Sequence, residues 1–356
     1  MPLTTGLLLL PTYPADQLVD LARRAERLGY EYLWLADERF FREVYASLTL
    51  CALRTERIKL GPCVTDPYSR HPALTAMAIA TLDEISRHRA VLGIGAGVSG
   101  FRELGIDRAR PGVAIREAVE VIRRLLAGER VTYHGQMVRL EEGKLDFTPA
   151  RADVPIYVAS QHPVGCRAAG RVADGAIMQG CVASPLVTFF RDTVHDAARE
   201  ARRDPARVDL VARINVCIHD DRRAARDLMR PGLVRSLASQ KPDFFTFVTA
   251  GLKVSPALEA KLATITYAHD PAPLAAAAGE VTDDFVDAVT LTGPPEDVAA
   301  GVTRLARAGI GQLMIYPMAP DGRIDTVIER FQTEVMPAVR AAGRRWAGAP
   351  PSEASL

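Results

Sequence analysis

The sequence predicts an α/β fold in which eight parallel strands close into a (β/α)8 barrel, with an open doubly wound sheet as the competing arrangement. Three observations lead there. Eight short apolar segments alternate with stretches of helical spacing. Most of those segments lack the apolar/polar alternation of a half-exposed strand, so both faces are covered, as in a parallel sheet between helices. One junction also recurs. Arg27-Leu28-Gly29-Tyr30-Glu31, Arg171-Val172-Ala173-Asp174-Gly175 and Arg307-Ala308-Gly309-Ile310-Gly311 each take a helix into a strand with a Gly near the helix end. That junction is structural and says nothing of function.

The elements follow in order. Residues 5–10 form an apolar strand, and 16–28 place Leu18, Leu21, Ala22, Ala25 and Leu28 on one helical face ended by Gly29. Strand 31–36 stops at Asp37-Glu38-Arg39; helix 44–54, strand 58–64 and helix 73–86 come next, the last opened by Pro72. Strand 90–94 runs into Gly95-Ala96-Gly97, followed by helix 113–126. Residues 130–140 read as a small hairpin turning at His134-Gly135, an excursion from the repeat. Strand 155–159, helix 164–172, strand 175–178, helix 185–202 and strand 211–218 resume it. Residues 220–285 are too long and irregular for one connection and read as a lid-like insertion, with Phe244, Phe245 and Phe247 suited to a lid or a subunit interface. Helix 295–308, strand 311–316 and helix 326–341 complete one barrel domain over 1–342, before an Ala/Pro/Ser-rich tail, 343–356, expected to be disordered.

Composition excludes several classes. The 356 residues are 48% hydrophobic with a formal net charge of +1, which gives no reason to expect nucleic acid or an anionic membrane as partner. No apolar run is long enough to span a bilayer, and the N-terminus lacks the basic start of a signal peptide. Five scattered cysteines without a C-x-x-C pair fit a reducing cytoplasm. The seven histidines show no metal-binding spacing, so no metal site is expected.

In a parallel barrel the site lies at the C-terminal strand ends. Asp37 and Glu38 follow the nearly all-apolar Tyr32-Leu33-Trp34-Leu35-Ala36 and are candidates for a general acid or for hydrogen bonds to a ligand, or plainly loop acids paired with Arg39. After strand 3, Gly61-Pro62-Cys63-Val64-Thr65-Asp66-Pro67-Tyr68-Ser69-Arg70-His71-Pro72 is a stiff polar loop where a plain connection needs about 2–6 residues. Cys63 lacks a nucleophile signature, and His71 reads best as a capping residue. Gly95-Ala96-Gly97 lacks the dinucleotide-binding spacing and suits either close backbone approach to a flat ligand or a tight turn. Ala159-Ser160-Gln161-His162 turns from a strand into a helix. Its free N–H groups could hold a phosphate, and Ser160 could equally cap the helix.

Taken together, these motifs resemble the bacterial-luciferase-like family of (β/α)8 TIM-barrel flavin and deazaflavin oxidoreductases. The likeness is nearest to its coenzyme F420-dependent branch of the methylenetetrahydromethanopterin reductase type. It is carried by the strand-3 loop 61–72, by Ala78-Ile79-Ala80-Thr81-Leu82-Asp83-Glu84-Ile85-Ser86, and by Ala90-Val91-Leu92-Gly93-Ile94-Gly95-Ala96-Gly97. Ala169-Gly170-Arg171-Val172-Ala173-Asp174-Gly175 and Gly293-Pro294-Pro295-Glu296-Asp297-Val298 add to it. The resemblance implies hydride transfer between F420 and a small organic substrate, with a deazaflavin lying over a strand-3 bulge at Cys63, Val64 and Thr65 that contains a non-prolyl cis peptide, by position Cys63–Val64. It implies an acid at Asp37 near the ring, a phosphate-binding turn at Ala159, Ser160, Gln161 and His162, and a homodimer. Many relatives carry His where this chain has Glu38, and sugar-phosphate-oxidising relatives carry Glu where it has Val98. Both departures argue against a sugar-phosphate substrate and leave Glu38 to exchange the proton. The competing readings are an FMN-dependent luciferase-type monooxygenase and a barrel that binds flavin or another small molecule without turnover.

Overall fold

Thr4–Leu9 forms the first strand, β1, because Leu7, Leu8 and Leu9 are apolar on both faces and every residue from Thr5 onward is buried. The computed structural model describes residues 3–97, 100–265 and 271–347. In it β1 is followed by α1 (Ala15–Leu28), β2 (Tyr32–Leu35), α2 (Val44–Ala52), β3 (Lys59–Pro62), α3 (Pro72–Ile85), β4 (Leu92–Gly95) and α4 (Pro111–Leu126). The hairpin β5 (Val131–His134) and β6 (Arg139–Gly143) is next, then β7 (Ile156–Ala159), α5 (Pro163–Val172), β8 (Gly175–Gln179), α6 (Ser184–Glu200) and β9 (Asp209–Ile218).

The parallel strands run in the spatial order β3-β2-β1-β11-β9-β8-β7-β4, where β11 is Gln312–Pro317. Parallel bridges Leu60–Ala90 and Thr65–Ile94 join β3 to β4 and complete the circuit. The predicted closed barrel is therefore the observed one, and the open sheet is not. Between those two bridges the chain bulges, and glycines on both strands make room for it. A Cβ on Gly61 would lie 1.7 Å from the Val91 carbonyl oxygen, and one on Gly93 would lie 2.4 Å from that of Pro62. A ninth strand, β10 (Thr290–Gly293), was not anticipated; it pairs in parallel with the C-terminal half of β9.

Local chemistry explains the helix ends. Gly29 closes α1 in the left-handed region, and its N–H reaches the carbonyls of Ala25 and Glu26. His71 caps α3: its Nδ1 accepts the Ala73 N–H while Nε2 faces the Arg139 carbonyl at 2.9 Å. Gly175, by contrast, does not end α5 but starts β8. The final helical stretch continues past the predicted residue 341: α13 (Ile324–Arg330) passes through a π-turn, Phe331–Val335, into α14 (Met336–Ala347). Residues 348–356 of the predicted tail lie outside the described residues.

Apolar side chains fill the barrel from within. Leu8, Tyr32, Trp34, Val91, Tyr157, Ile177, Val211 and Met314 form a lumen cluster. Trp34 is wholly buried there, donates through Nε1 to Gln312 Oε1 at 3.0 Å, and meets Tyr157 edge-on at 5.5 Å. A larger cluster packs the strands against the surrounding helices. The barrel is a packed core, so ligand space exists only above this layer.

The hairpin is fastened by one carboxylate. Glu117 of α4 is buried and accepts the N–H groups of Gln136, Met137 and Val138. Burial alone would raise its pKa, but these donors outweigh it and hold the carboxyl below its ordinary value. The folded protein therefore binds fewer protons at this site than the unfolded chain. Its stabilisation is complete above the unfolded carboxylate range and is lost as pH falls through the lower, folded value. Glu117→Gln is expected to cost about 1–3 kcal/mol near pH 7, with a smaller difference near about pH 3. Urea unfolding at both pH values checks this, and an equal difference at the two would contradict it.

The stretch read as irregular is helical. It contains α7 (Arg222–Ser239), α8 (Phe245–Thr249), α9 (Pro256–Ala263), α10 (Pro271–Ala278) and α11 (Asp283–Val289), packed around a core of their own. Phe244 and Phe247 are buried in that core; residues 266–270 of the stretch lie outside the described residues. α12 (Pro295–Arg307) then leads into β11. No helix among the described residues is long and apolar enough to cross a membrane.

Candidate active site

The C-terminal strand ends enclose a cleft of about 420 Å³, a size typical of small-molecule sites. Ten of the predicted residues line it: Asp37, Glu38, Cys63, Val64, Ala96, Gly97, Ala159, Ser160, Gln161 and His162. Thr65 and Gly95 were expected on its wall and are not. Thr65 is fully buried one layer below, where its N–H bonds the Gly93 carbonyl and its carbonyl takes the Gly95 N–H. These two support the floor. Val98 lies outside the described residues.

Two acids open one side. β2 delivers Asp37 and Glu38 directly to the barrel mouth because Ala36 is still hydrogen-bonded to Leu9 of β1. Burial raises the Asp37 pKa above the usual carboxylate value, opposed by the Thr65 hydroxyl and by Arg70 and Arg39. Arg70 Nε stands 4.0 Å from Asp37 Oδ2, while its Nη2 bonds Glu43 at 2.9 Å and its guanidinium stacks on Tyr45. Arg39 bonds Asp66 at 2.8 Å.

Asp66 explains the strand-3 loop. Fully buried, it accepts the N–H groups of Tyr68 and Ser69 and the Ser69 hydroxyl, an Asx-type turn that also fixes Arg39. The bulge before it presents Cys63 and Val64, joined by a cis peptide bond, as part of the floor. Burial pushes the Cys63 thiol up to about 12, with Arg213 opposing, which disfavours the reactive thiolate.

The far rim is rich in donors. Ser160 Oγ accepts the His162 N–H at 3.1 Å and sets the turn into α5, whose first residue is Pro163. His162 occupies the position just before the helix, so Ser160 shapes the turn without being the cap itself. Arg108 reaches over from the segment after β4, donates to the Gly97 carbonyl and stacks on Phe101. A helix start beside a guanidinium favours an anion. Leu8, Ile177 and Val64 make the floor between the two sides apolar. Among the described residues no group of three or more His, Cys, Asp or Glu is placed to hold a metal ion.

A sequence profile described as luciferase-like monooxygenase matches residues 3–312. The chain belongs to that family. The 5,10-methylenetetrahydromethanopterin reductase of Archaeoglobus fulgidus is 32% identical to it over 94% of this chain and 99% of that protein. The enzyme of the same name from Methanolobus tindarius is 33% identical over 90% and 96%. Among solved structures, a coenzyme F420-dependent tetrahydromethanopterin reductase from Methanopyrus kandleri superposes with a TM-score of 0.83 at 28% identity, covering 95% of this chain and 99% of that one. The sequence resemblance, including its reductase-type branch, is thus confirmed over nearly the whole length.

This luciferase-like barrel also uses residues that sequence reasoning passed over. Arg108, Arg213, Ser239 and Gln240 all line the cleft. Ser239 and Gln240 come from the end of α7 and could not be placed before the insertion was seen. Arg213 and Asn215 had a signal: they are the polar members of an alternating run, Val211-Ala212-Arg213-Ile214-Asn215-Val216, inside a buried strand.

Proposed function

We propose that this protein is an oxidoreductase that transfers a hydride between coenzyme F420 and a small organic substrate. The observation that carries the reading is the polarity of the cleft. A pair of acids stands on one side of an apolar floor, and an anion-favouring turn stands on the other. An apolar floor of that kind suits a flat ring, and the Ala159–His162 turn with Arg108 suits a phosphate. The likeness to F420-dependent relatives supports the choice of F420 over FMN.

Bound there, the coenzyme would supply the hydride chemistry through its ring. The chain's own residues would do the rest. Cys63, Val64, Ala96 and Gly97 form the bed, Ser160, Gln161 and His162 fix the anionic arm, and Asp37 stands by the ring. Glu38, on the open side of the bed, exchanges the proton that accompanies hydride transfer. The α7–α11 insertion covers the mouth as a lid, where Phe245 rests against His162 at 5.5 Å and Phe189 at 5.0 Å. An anaerobic screen of alcohols, carbonyl compounds and C=N compounds, followed through the F420 absorbance, tests this reading. Turnover that also requires oxygen and FMN would replace it with the monooxygenase reading.

We also propose a homodimer formed through α2 and α3. Leu50, Leu74 and Met77 on these helices and Leu53 at the C-cap of α2 are each more than two-fifths exposed, and large apolar side chains exposed on two neighbouring helices suit an interface. Leu53→Glu combined with Met77→Glu is expected to give a monomer of unchanged fold by light scattering. A wild-type monomer would contradict the proposal. The cysteines are free thiols, which suits a cytoplasmic location.

A further inference from the structure

We propose that the substrate carries a carboxylate or a comparably compact oxyanion, and that Arg213 holds it. This deepens the hydride-transfer reading and rests on it for the word substrate. Beside the main cleft, between the end of β8, the middle of β9 and the α7–α8 segment, lies a small polar recess of about 20 Å³. Arg213, Gln161 and Gln179 line both the cleft and the recess, so a ligand in the first can extend a group into the second.

The recess is built for oxygen. Its volume suits about one water-sized group, such as one carboxylate oxygen. Thr246 borders it, and its Oγ1 is buried with no hydrogen-bond partner. A buried hydroxyl in that state calls for a partner from outside the chain's own groups. Arg213 is held in place before any ligand arrives: Nη1 donates to Asn215 Oδ1 at 2.8 Å, and the guanidinium lies 5.0 Å from the Tyr316 ring centre. A planar guanidinium oriented in this way recognises a carboxylate with little further ordering.

The charges around Tyr316 give the site a direction. Burial raises this phenol, Arg213 and Arg235 act to lower it, and Glu38 acts to raise it, so Arg213 and Glu38, which both line the cleft, act on the same group. Arg213 also acts on the Cys63 thiol in the floor. An anion on Arg213 would therefore sit beside the bed on which the ring is placed and within electrostatic range of Glu38. The atoms next to the anion would then face both the hydride and the proton.

The test uses butyrate and butyramide, two probes of one shape that differ in charge, with the full-length apo-protein and calorimetry supported by saturation-transfer NMR. Butyrate is expected to bind wild type at least about tenfold more tightly than butyramide, a difference of about 1.4 kcal/mol. Arg213→Gln is expected to erase that preference, and Arg213→Lys to restore part of it. Equal binding of the two probes by wild type, or an undiminished preference in Arg213→Gln, would overturn the proposal; a recess that holds only water gives that result. Because the probes are read without coenzyme, this outcome is independent of F420 binding. A wild-type protein that fails to bind F420 overturns the hydride-transfer reading instead.

Discussion

Glu38→Gln is expected to lower kcat by about 10²–10⁴-fold, the usual contribution of a positioned proton donor or acceptor. The substitution keeps the size of the side chain and removes its proton. Glu38 and Asp37 both line the cleft, but Asp37 also faces Arg70, whose Nε stands 4.0 Å from its Oδ2. The raised Asp37 pKa means that this acid keeps its proton to a higher pH than a surface carboxylate does. It can thus stand near a ring without adding a full negative charge throughout the acid range. The variant should bind F420 about as well as wild type, because the anion-holding turn and the floor are untouched. The check is kcat of both proteins on the substrate found by the F420 screen. If Glu38→Gln keeps most of the wild-type rate, the proton passes through another group, and Asp37→Asn would then show the large loss.

Trp34→Ala should cost about 3–5 kcal/mol of folding stability, the range for truncating a large aromatic in a tight core. Trp34 is fully buried at the centre of the lumen, and its ring reaches beneath Gly93. Removing it empties the layer that carries the β3–β4 bulge and deprives Gln312 Oε1 of its donor. A cavity walled by Tyr32 and Tyr157 has little freedom to collapse, because both rings are themselves strand residues fixed by the barrel. Chemical unfolding should show a lower midpoint with an unchanged slope. F420 affinity should fall as well, since the floor of the cleft rests on this ring. A stability loss below about 1 kcal/mol would mean the lumen packs differently from the arrangement described here.

The barrel was legible because its strands are buried on both faces and read as short apolar runs between amphipathic helices. Tyr32–Leu35 and Leu92–Gly95 are buried at every position, and nothing in them competes with that reading. β10 was not legible. Thr290-Leu291-Thr292-Gly293 is short, half polar and directly continuous with α11, and only pairing with the long β9 makes it a strand. The insertion was obscured by Pro231 inside α7 and by the Lys241-Pro242 step, both of which interrupt helical spacing.

At the site, the acids and the turn at Ser160 stood out because polar groups at the mouth of an apolar strand have a positional meaning in a barrel. The cations did not. Arg39 acquires its role only through Asp66, 27 residues on, and Arg108 only by folding back on Phe101. Those contacts depend on loop conformation, which spacing does not encode. Thr65 and Gly95 went the other way: their place in the motif suggested the cleft wall, whereas backbone pairing buries them beneath the cleft.

The most direct test of the account is a titration of the purified apo-protein with F420 and, separately, with FMN, followed by absorbance and fluorescence. F420 is expected to bind more tightly than FMN by at least about a hundredfold, or about 2.7 kcal/mol. FMN binding as tight as F420 binding, or no binding of either, would contradict it.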